Sequence, residues 1–286
     1  DRDRQEWLVT AVDDEGATAV RGSRRDKSMS ILEQYDQLPF RTRNKIDTLT
    51  EEYLERLEDD IHDMICDQNE DNYRGLDSAR DTEAEVETAL RLFPDVITTR
   101  TEEEDENGNI VRNYPIQCIC CCIHGDFEKA VSFVYLLVRL AIEFHSFEDH
   151  ERGGLLCADE EGYTSLERLL ECFDSSYDEE YHQRVDNVFL MLLIRLRRMG
   201  LLRKEDSSDQ ELLHTMCGDE YFAKNRFQFL VEWDPTVLIQ LHLFTRRLPL
   251  HFSAERSTIE GFKSVFNYMI RYYPVKKGIT LLFQND

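Results

Sequence analysis

The densest reactive chemistry in the chain is Cys118-Ile-Cys120-Cys121-Cys122-Ile-His124, four thiols and an imidazole in one short run. Cys118 and Cys121 have CxxC spacing. A structural zinc site needs four ligands converging tetrahedrally, commonly from two separated knuckles. No second knuckle follows at an ordinary distance. The run also falls on a helix that starts at Pro115, so its side chains point in several directions. Cys118, Cys121, Cys122 and His124 are therefore the candidate metal ligands, while the expectation is no metal and no cofactor, with cysteine filling small buried slots. The competing reading is a metal- or redox-responsive regulator built on this cluster. Glu103-x-Asp105-x-Asn107-Gly108 has the spacing that opens a calcium loop, but Tyr114 stands where the loop needs a bidentate Glu. There is no G-x-S-x-G, H-E-x-x-H or glycine-rich phosphate loop. An enzyme is not expected.

Charge narrows the partners. The 286 residues include 58 acids and 34 Lys or Arg, for a net charge of −24. Such a chain repels a phosphate backbone, and the basic stretches Arg195–Lys204 and Lys276-Lys277 are too local to reverse that. Nucleic acid is not an expected partner. The apolar runs Val131–Val138 and Val188–Ile194 stop at Arg139 and Arg195, too short to span a bilayer. Residues 47–107 hold 22 acidic and 5 basic residues. Within them Glu102, Glu103, Glu104, Asp105 and Glu106 form the expected partner-binding segment, and the expected partner is a protein with a basic surface. Three of the eight cysteines are consecutive, which suits reduced thiols better than a disulfide framework and implies an intracellular protein, cytoplasmic or nuclear. The first residue is Asp1, not Met, and the chain stops after Gln284-Asn285-Asp286; a fragment at both ends is expected.

These groups must be positioned by helices. Residues 1–28 are polar and irregular and read as a disordered lead-in. Residues 29–75 read as a helical cap, with Tyr53, Leu54, Leu57, Ile61, Met64 and Ile65 on one face of a helix over Thr50–Cys66 and a capping box at Thr48-x-x-Glu51. Further helices are predicted over Thr82–Phe93, Phe127–Glu143, Ser165–Phe173, Glu179–Met199, Phe222–Trp233 and Ile259–Tyr273. Arg195, Arg197 and Arg198 at the end of one of them suit the helix macrodipole. No segment alternates with period two for long enough to demand a strand. The fold class is all-α.

Self-similarity organises the rest. Asp159-Glu-Glu-Gly162-Tyr-Thr164-Ser165-Leu166-Glu167 aligns with Asp206-Ser-Ser-Asp209-Gln-Glu211-Leu212-Leu213-His214, with Leu248-Pro249-Leu250-His251, and with Tyr114-Pro115-Ile116-Gln117. An aromatic residue followed by Pro ends a helix at Phe93-Pro94, Trp233-Asp234-Pro235 and Tyr273-Pro274. The four copies resemble the opening of an ankyrin repeat, Asp-x-x-Gly-x-Thr-Pro-Leu-His. The resemblance implies helical hairpins stacked into a solenoid, with Thr164, Leu166, Leu213, His214, Pro249, Leu250 and His251 stacking neighbouring repeats. Gln117 and Glu167 replace the His, so those two copies should be looser there. Intervals of 50, 47 and 37 residues separate Ile116, Leu166, Leu213 and Leu250, against about 33 in ordinary repeats. Tyr73-Arg-Gly-Leu-Asp77, Arg80-Asp-Thr-Glu-Ala-Glu-Val86 and Arg271-Tyr-Tyr-Pro274-Val-Lys-Lys-Gly-Ile279 are similar to a large paralogous group of ankyrin-like proteins in diatoms, which has no assigned biochemical activity.

The expectation is an ankyrin-like solenoid of about four degenerate repeats over 76–286, cut off at its C-terminus and preceded by the cap. Its function would be non-enzymatic: a monomeric scaffold that holds a partner protein on stacked repeats. A further alternative takes Leu38-Pro39 with Ile46 and Leu49 as an F-box-like start, making the chain a ubiquitin-ligase adaptor.

Overall fold

A computed structural model of the chain describes residues 27–67, 72–104, 108, 110–120, 128–171, 178–219 and 221–274. The lead-in expected over 1–28 lies outside them except for residues 27 and 28, which open a helix. The chain forms two compact units, divided between Leu57 and Glu58.

The first unit holds α1 (residues 27–33), a 3₁₀ turn at Tyr35–Gln37, and the start of α2 (Phe40–Cys66). The Tyr35 hydroxyl donates to the Asp47 carboxylate at 2.6 Å. The helix does not begin at the Thr48-x-x-Glu51 box. The Pro39 carbonyl already accepts from the amides of Thr42 and Arg43, which starts the ladder early, and no Gly or Pro interrupts it before Thr48. Thr48 then sits mid-helix and its hydroxyl donates back to the Asn44 carbonyl. Phe40, Leu49, Tyr53 and Leu54 are exposed.

The second unit holds α3 (Glu83–Leu92), α4 (Pro115–Cys120), α5 (Glu128–Val131), α6 (Val134–Glu143), α7 (Ser165–Arg168), α8 (Glu179–Arg198), α9 (Asp206–Asp209), α10 (Leu212–Gly218), α11 (Lys224–Trp233), α12 (Pro249–Glu255) and α13 (Ile259–Tyr272). Among the described residues the strands are limited to one hairpin, β1 (Glu103–Glu104) against β2 (Ile110–Val111), antiparallel with Glu103 opposite Val111. Two residues per strand are too few to leave a period-two signature. The fold is all-α apart from this hairpin.

Local chemistry sets the ends of the helices. Thr82 and Glu85 form a reciprocal capping box at the start of α3, and Phe93-Pro94 ends it, since Pro cannot extend the ladder. The single helix expected over Phe127–Glu143 is interrupted at Ser132-Phe133. There the Phe133 amide bonds the Ala130 carbonyl in a tighter turn, and its ring is buried.

The longer helices pack in chain order: α3 on α6, α6 on α8, α8 on α11 and α11 on α13. Short helices pack on one another as well, α4 with α7 and α10 with α12. Leu90, Leu137, Phe189, Leu193, Phe227 and Val265 are buried between the longer helices. Each such side chain contributes roughly 1.5–3 kcal/mol from burial. The arginines that end α8 do more than complement its dipole. Arg195 forks the Glu83 carboxylate at 2.6 and 3.0 Å and lies over the Tyr135 ring, while Arg197 lies over Trp233.

Among the described residues the most deeply placed charges are Arg226 and Asp186, each 1% exposed. The Arg226 guanidinium is bonded throughout. Its Nε donates to Asp186 Oδ1 at 3.0 Å, and a terminal nitrogen donates to the Leu169 carbonyl at 2.8 Å. The Asp186 carboxylate also accepts the backbone amides of Asn225 and Arg226, so it caps α11 from α8. One ion pair thus joins the end of α7, the middle of α8 and the start of α11. Arg226→Met strands a buried carboxylate and should cost about 3–5 kcal/mol in urea unfolding. Combined with Asp186→Leu, the double variant should lose less than the sum of the two single losses, read from a double-mutant cycle.

Candidate functional site

Three of the four motif copies share a bonding pattern at their first and fourth positions. In these the backbone amide of the first residue donates to the side chain of the fourth: Tyr114 to Gln117 Oε1 at 2.7 Å, Thr164 to Glu167 Oε2 at 2.6 Å, and Leu248 to His251 Nδ1 at 3.0 Å. In the remaining copy Glu211 adopts a left-handed backbone, φ 47°, and its side chain makes no capping bond. Ile116, Leu166, Leu213 and Leu250 at the third position are all buried, as are Thr164 and Pro249.

The fourth residue can also reach ahead to a later part of the chain. Gln117 Nε2 donates to the Cys157 carbonyl at 3.3 Å, and His214 Nε2 donates to the Arg247 carbonyl at 3.2 Å. Gln117 is therefore not looser than His. A carboxamide, like a neutral imidazole, carries both an acceptor and a donor, so it caps its own helix and bridges onward. Glu167 has acceptors only, and it caps without bridging. At that level Arg152 supplies a tie, forking Asp206 at 2.5 and 2.7 Å and donating to the Leu201 carbonyl. The turn ahead of Thr164 forms as its residues require. Asp159 accepts the amides of Glu161 and Tyr163, and Gly162 takes φ 92°, which a side chain would strain.

A concavity that could receive a ligand lies at the end of α2, a groove of about 1030 Å³. Asp60, Asp63, Met64, Cys66 and Asp67 of the α2 end and its following residue form one wall, and Thr101 and Glu102 line it as well. His62 Nε2 donates to the Thr99 carbonyl at 3.0 Å, which ties the end of α2 to the segment that carries Thr101. Asp60 and Asp63 at i, i+3 share a face of α2, and Asp67 follows its end. Arg74 also lines the groove, and its amide donates to Asp67. The Glu102 carboxylate is exposed and bonds Arg112 at 3.0 Å. Of the predicted segment, Glu103 and Glu104 lie on β1, while Asp105 and Glu106 fall outside the described residues.

Cys118 is buried within α4, and Cys121, Cys122 and His124 fall outside the described residues. Among the described residues no group of three or more His, Cys, Asp or Glu side chains is arranged to hold a metal ion, and no helix is long and apolar enough to cross a membrane. Cys157 donates its S–H to Glu151, and burial with that bond pushes the thiol up to about 12, far from a reactive thiolate. Sequence reasoning missed the α2 wall of the groove, although the spacing of its three aspartates was visible. It also missed the Arg226–Asp186 pair, which no local pattern announces.

Two outcomes follow for the motif residues. Burial holds the His214 imidazole below its ordinary pKa, with Glu211 opposing. The unfolded chain takes up that proton at about pH 6.5 and the folded chain only at lower pH. The contribution is therefore intact above that pH and lost as pH falls through the window below it, and His214→Gln should flatten this part of the stability profile. Gln117→Glu should keep the cap, lose the donor to Cys157 and cost about 1–3 kcal/mol near neutrality. Measured against wild type at each pH, the deficit should shrink in acid, where a protonated carboxyl regains a donor. Comparison of the chain with known protein families, curated proteins and solved structures returns no match.

Proposed function

We propose that the chain is a non-enzymatic protein-binding scaffold of ankyrin-like helical hairpins, and that the groove along Asp60, Asp63, Asp67 and Glu102 receives a basic segment of its partner. The observation that carries this reading is the groove itself. It is a concavity with carboxylates on its rim and Met64 and Cys66 among its lining, in a chain of net charge −24. Carboxylates at such a rim attract lysine and arginine side chains, and Met64 offers a neighbouring residue an apolar contact. The solenoid part of the proposal is supported by the two sets of helix contacts and by the recurrent bond from first to fourth position. The exposed Phe40, Leu49, Tyr53 and Leu54 favour a second reading, a ligase adaptor docking through α2. Leu49→Asp with Tyr53→Asp should abolish binding to a purified ligase core if that reading holds.

The scaffold reading is tested by calorimetric titration with an arginine-rich peptide and with its glutamate-rich counterpart. The basic peptide should bind, the acidic one should not, and raising salt should weaken the complex. Asp63→Lys with Glu102→Lys should reduce affinity at least about tenfold. Equal binding of the basic peptide to wild type and variant would remove the groove from the account.

A further inference from the structure

The loop over residues 241–247, between the 3₁₀ turn Pro235–Ile239 and α12, presents Leu243 and Phe244 to solvent, at 67% and 84% exposure. Single exposed apolar residues are ordinary. These two sit on a loop that is fixed by its own bonds. The Leu243 amide donates to Glu211 Oε1 at 2.6 Å. The amides of Phe244 and Thr245 both donate to His242 Nδ1, at 3.3 and 3.1 Å. The His242 amide donates to the Arg247 carbonyl and the Arg246 amide to the His242 carbonyl. Arg246 is held in the left-handed region, φ 55°. A loop ordered in this way, with its largest apolar side chains in water, has met in advance the entropic cost of presenting an aromatic anchor.

Arg246 sets the chemistry of the surface that would receive the anchor. Its guanidinium makes no ion pair with the described residues, and Arg247 beside it is exposed and bonded to Glu255. The complement of this loop is a carboxylate-edged recess that also offers an apolar side chain. The groove of this chain has Met64 in a mostly polar lining, with Asp60, Asp63 and Glu102 beside it and Arg74 also present. In packing order the groove lies beside the first helices of the second unit, through the His62–Thr99 bond, and the loop lies beside α12 among the last.

We propose that the loop docks into the groove of a second copy of this chain, with Phe244 against Met64 and Arg246 among the carboxylates of Asp60, Asp63 and Glu102. The proposal rests on the reading of the groove as a site for basic segments and names one such segment. The two surfaces differ, so the contact is head-to-tail and can repeat from copy to copy. The net charge of −24 opposes close approach elsewhere, which makes the association weak and the paired charges decisive. It departs from the monomer expected from sequence.

Sedimentation equilibrium of the purified chain tests this. The weight-average mass of wild type should rise with concentration and rise less at high salt. Phe244→Ser and Asp63→Lys alter exposed side chains, so folding can be verified by circular dichroism, and each should weaken self-association at least about tenfold. An equimolar mixture of the two variants retains one intact loop and one intact groove. It should therefore regain association and stop at a dimer. A wild type that stays monomeric throughout, or variants that associate like wild type, would overturn the proposal. The arginine-rich peptide, run alongside, separates the two failures. Peptide binding by a strictly monomeric wild type leaves the groove reading standing and removes the self-contact, while absence of both removes the two together.

Discussion

Two opposite charges withdrawn from water, Arg226 and Asp186, constrain how the second unit is assembled. A buried ion pair survives only when its remaining donors and acceptors are also satisfied. Here the guanidinium reaches a carbonyl at the end of α7, and the carboxylate takes the first amides of α11. Neither requirement can be met unless α7, α8 and α11 meet at one geometry. The pair adds direction to a core whose leucines and phenylalanines would tolerate several arrangements. Arg152 and Asp206 repeat the device between the segment ahead of Thr164 and α9.

Between these fixed points the motif residues work through donor and acceptor inventory. Gln117 and His214 bridge to carbonyls 40 and 33 residues further on, because each carries a donor that its own helix does not use. Glu167 cannot, and an arginine elsewhere takes over the tie. Such ties hold one segment to the next. The proposed scaffold therefore has a tied frame that leaves side chains such as Leu243 and Phe244 exposed.

The helices were legible where local chemistry decides them. The helix start at Thr82, its end at Phe93-Pro94 and the Asp159–Gly162 turn all appear where the sequence predicts. The start of α2 was not legible, because Thr48-x-x-Glu51 reads the same within a helix as at its beginning. Pro39 set the true start. Arg226 was illegible for a different reason. An arginine in an amphipathic segment reads as solvated, and its burial depends on an aspartate 40 residues earlier. The groove stood between these cases: Glu102 and the spacing of Asp60, Asp63 and Asp67 are visible in the chain, but their convergence depends on His62 holding Thr99.

Native-state hydrogen exchange at the amides of Asn225 and Arg226 tests the central constraint most directly. Both are donors to the buried Asp186 carboxylate at the first turn of a helix, where amides ordinarily fray. If the pair fixes the assembly, these two amides exchange only through global unfolding and match the slowest core amides in their dependence on denaturant. Exchange through local opening, with protection no greater than at other helix starts, would contradict the account.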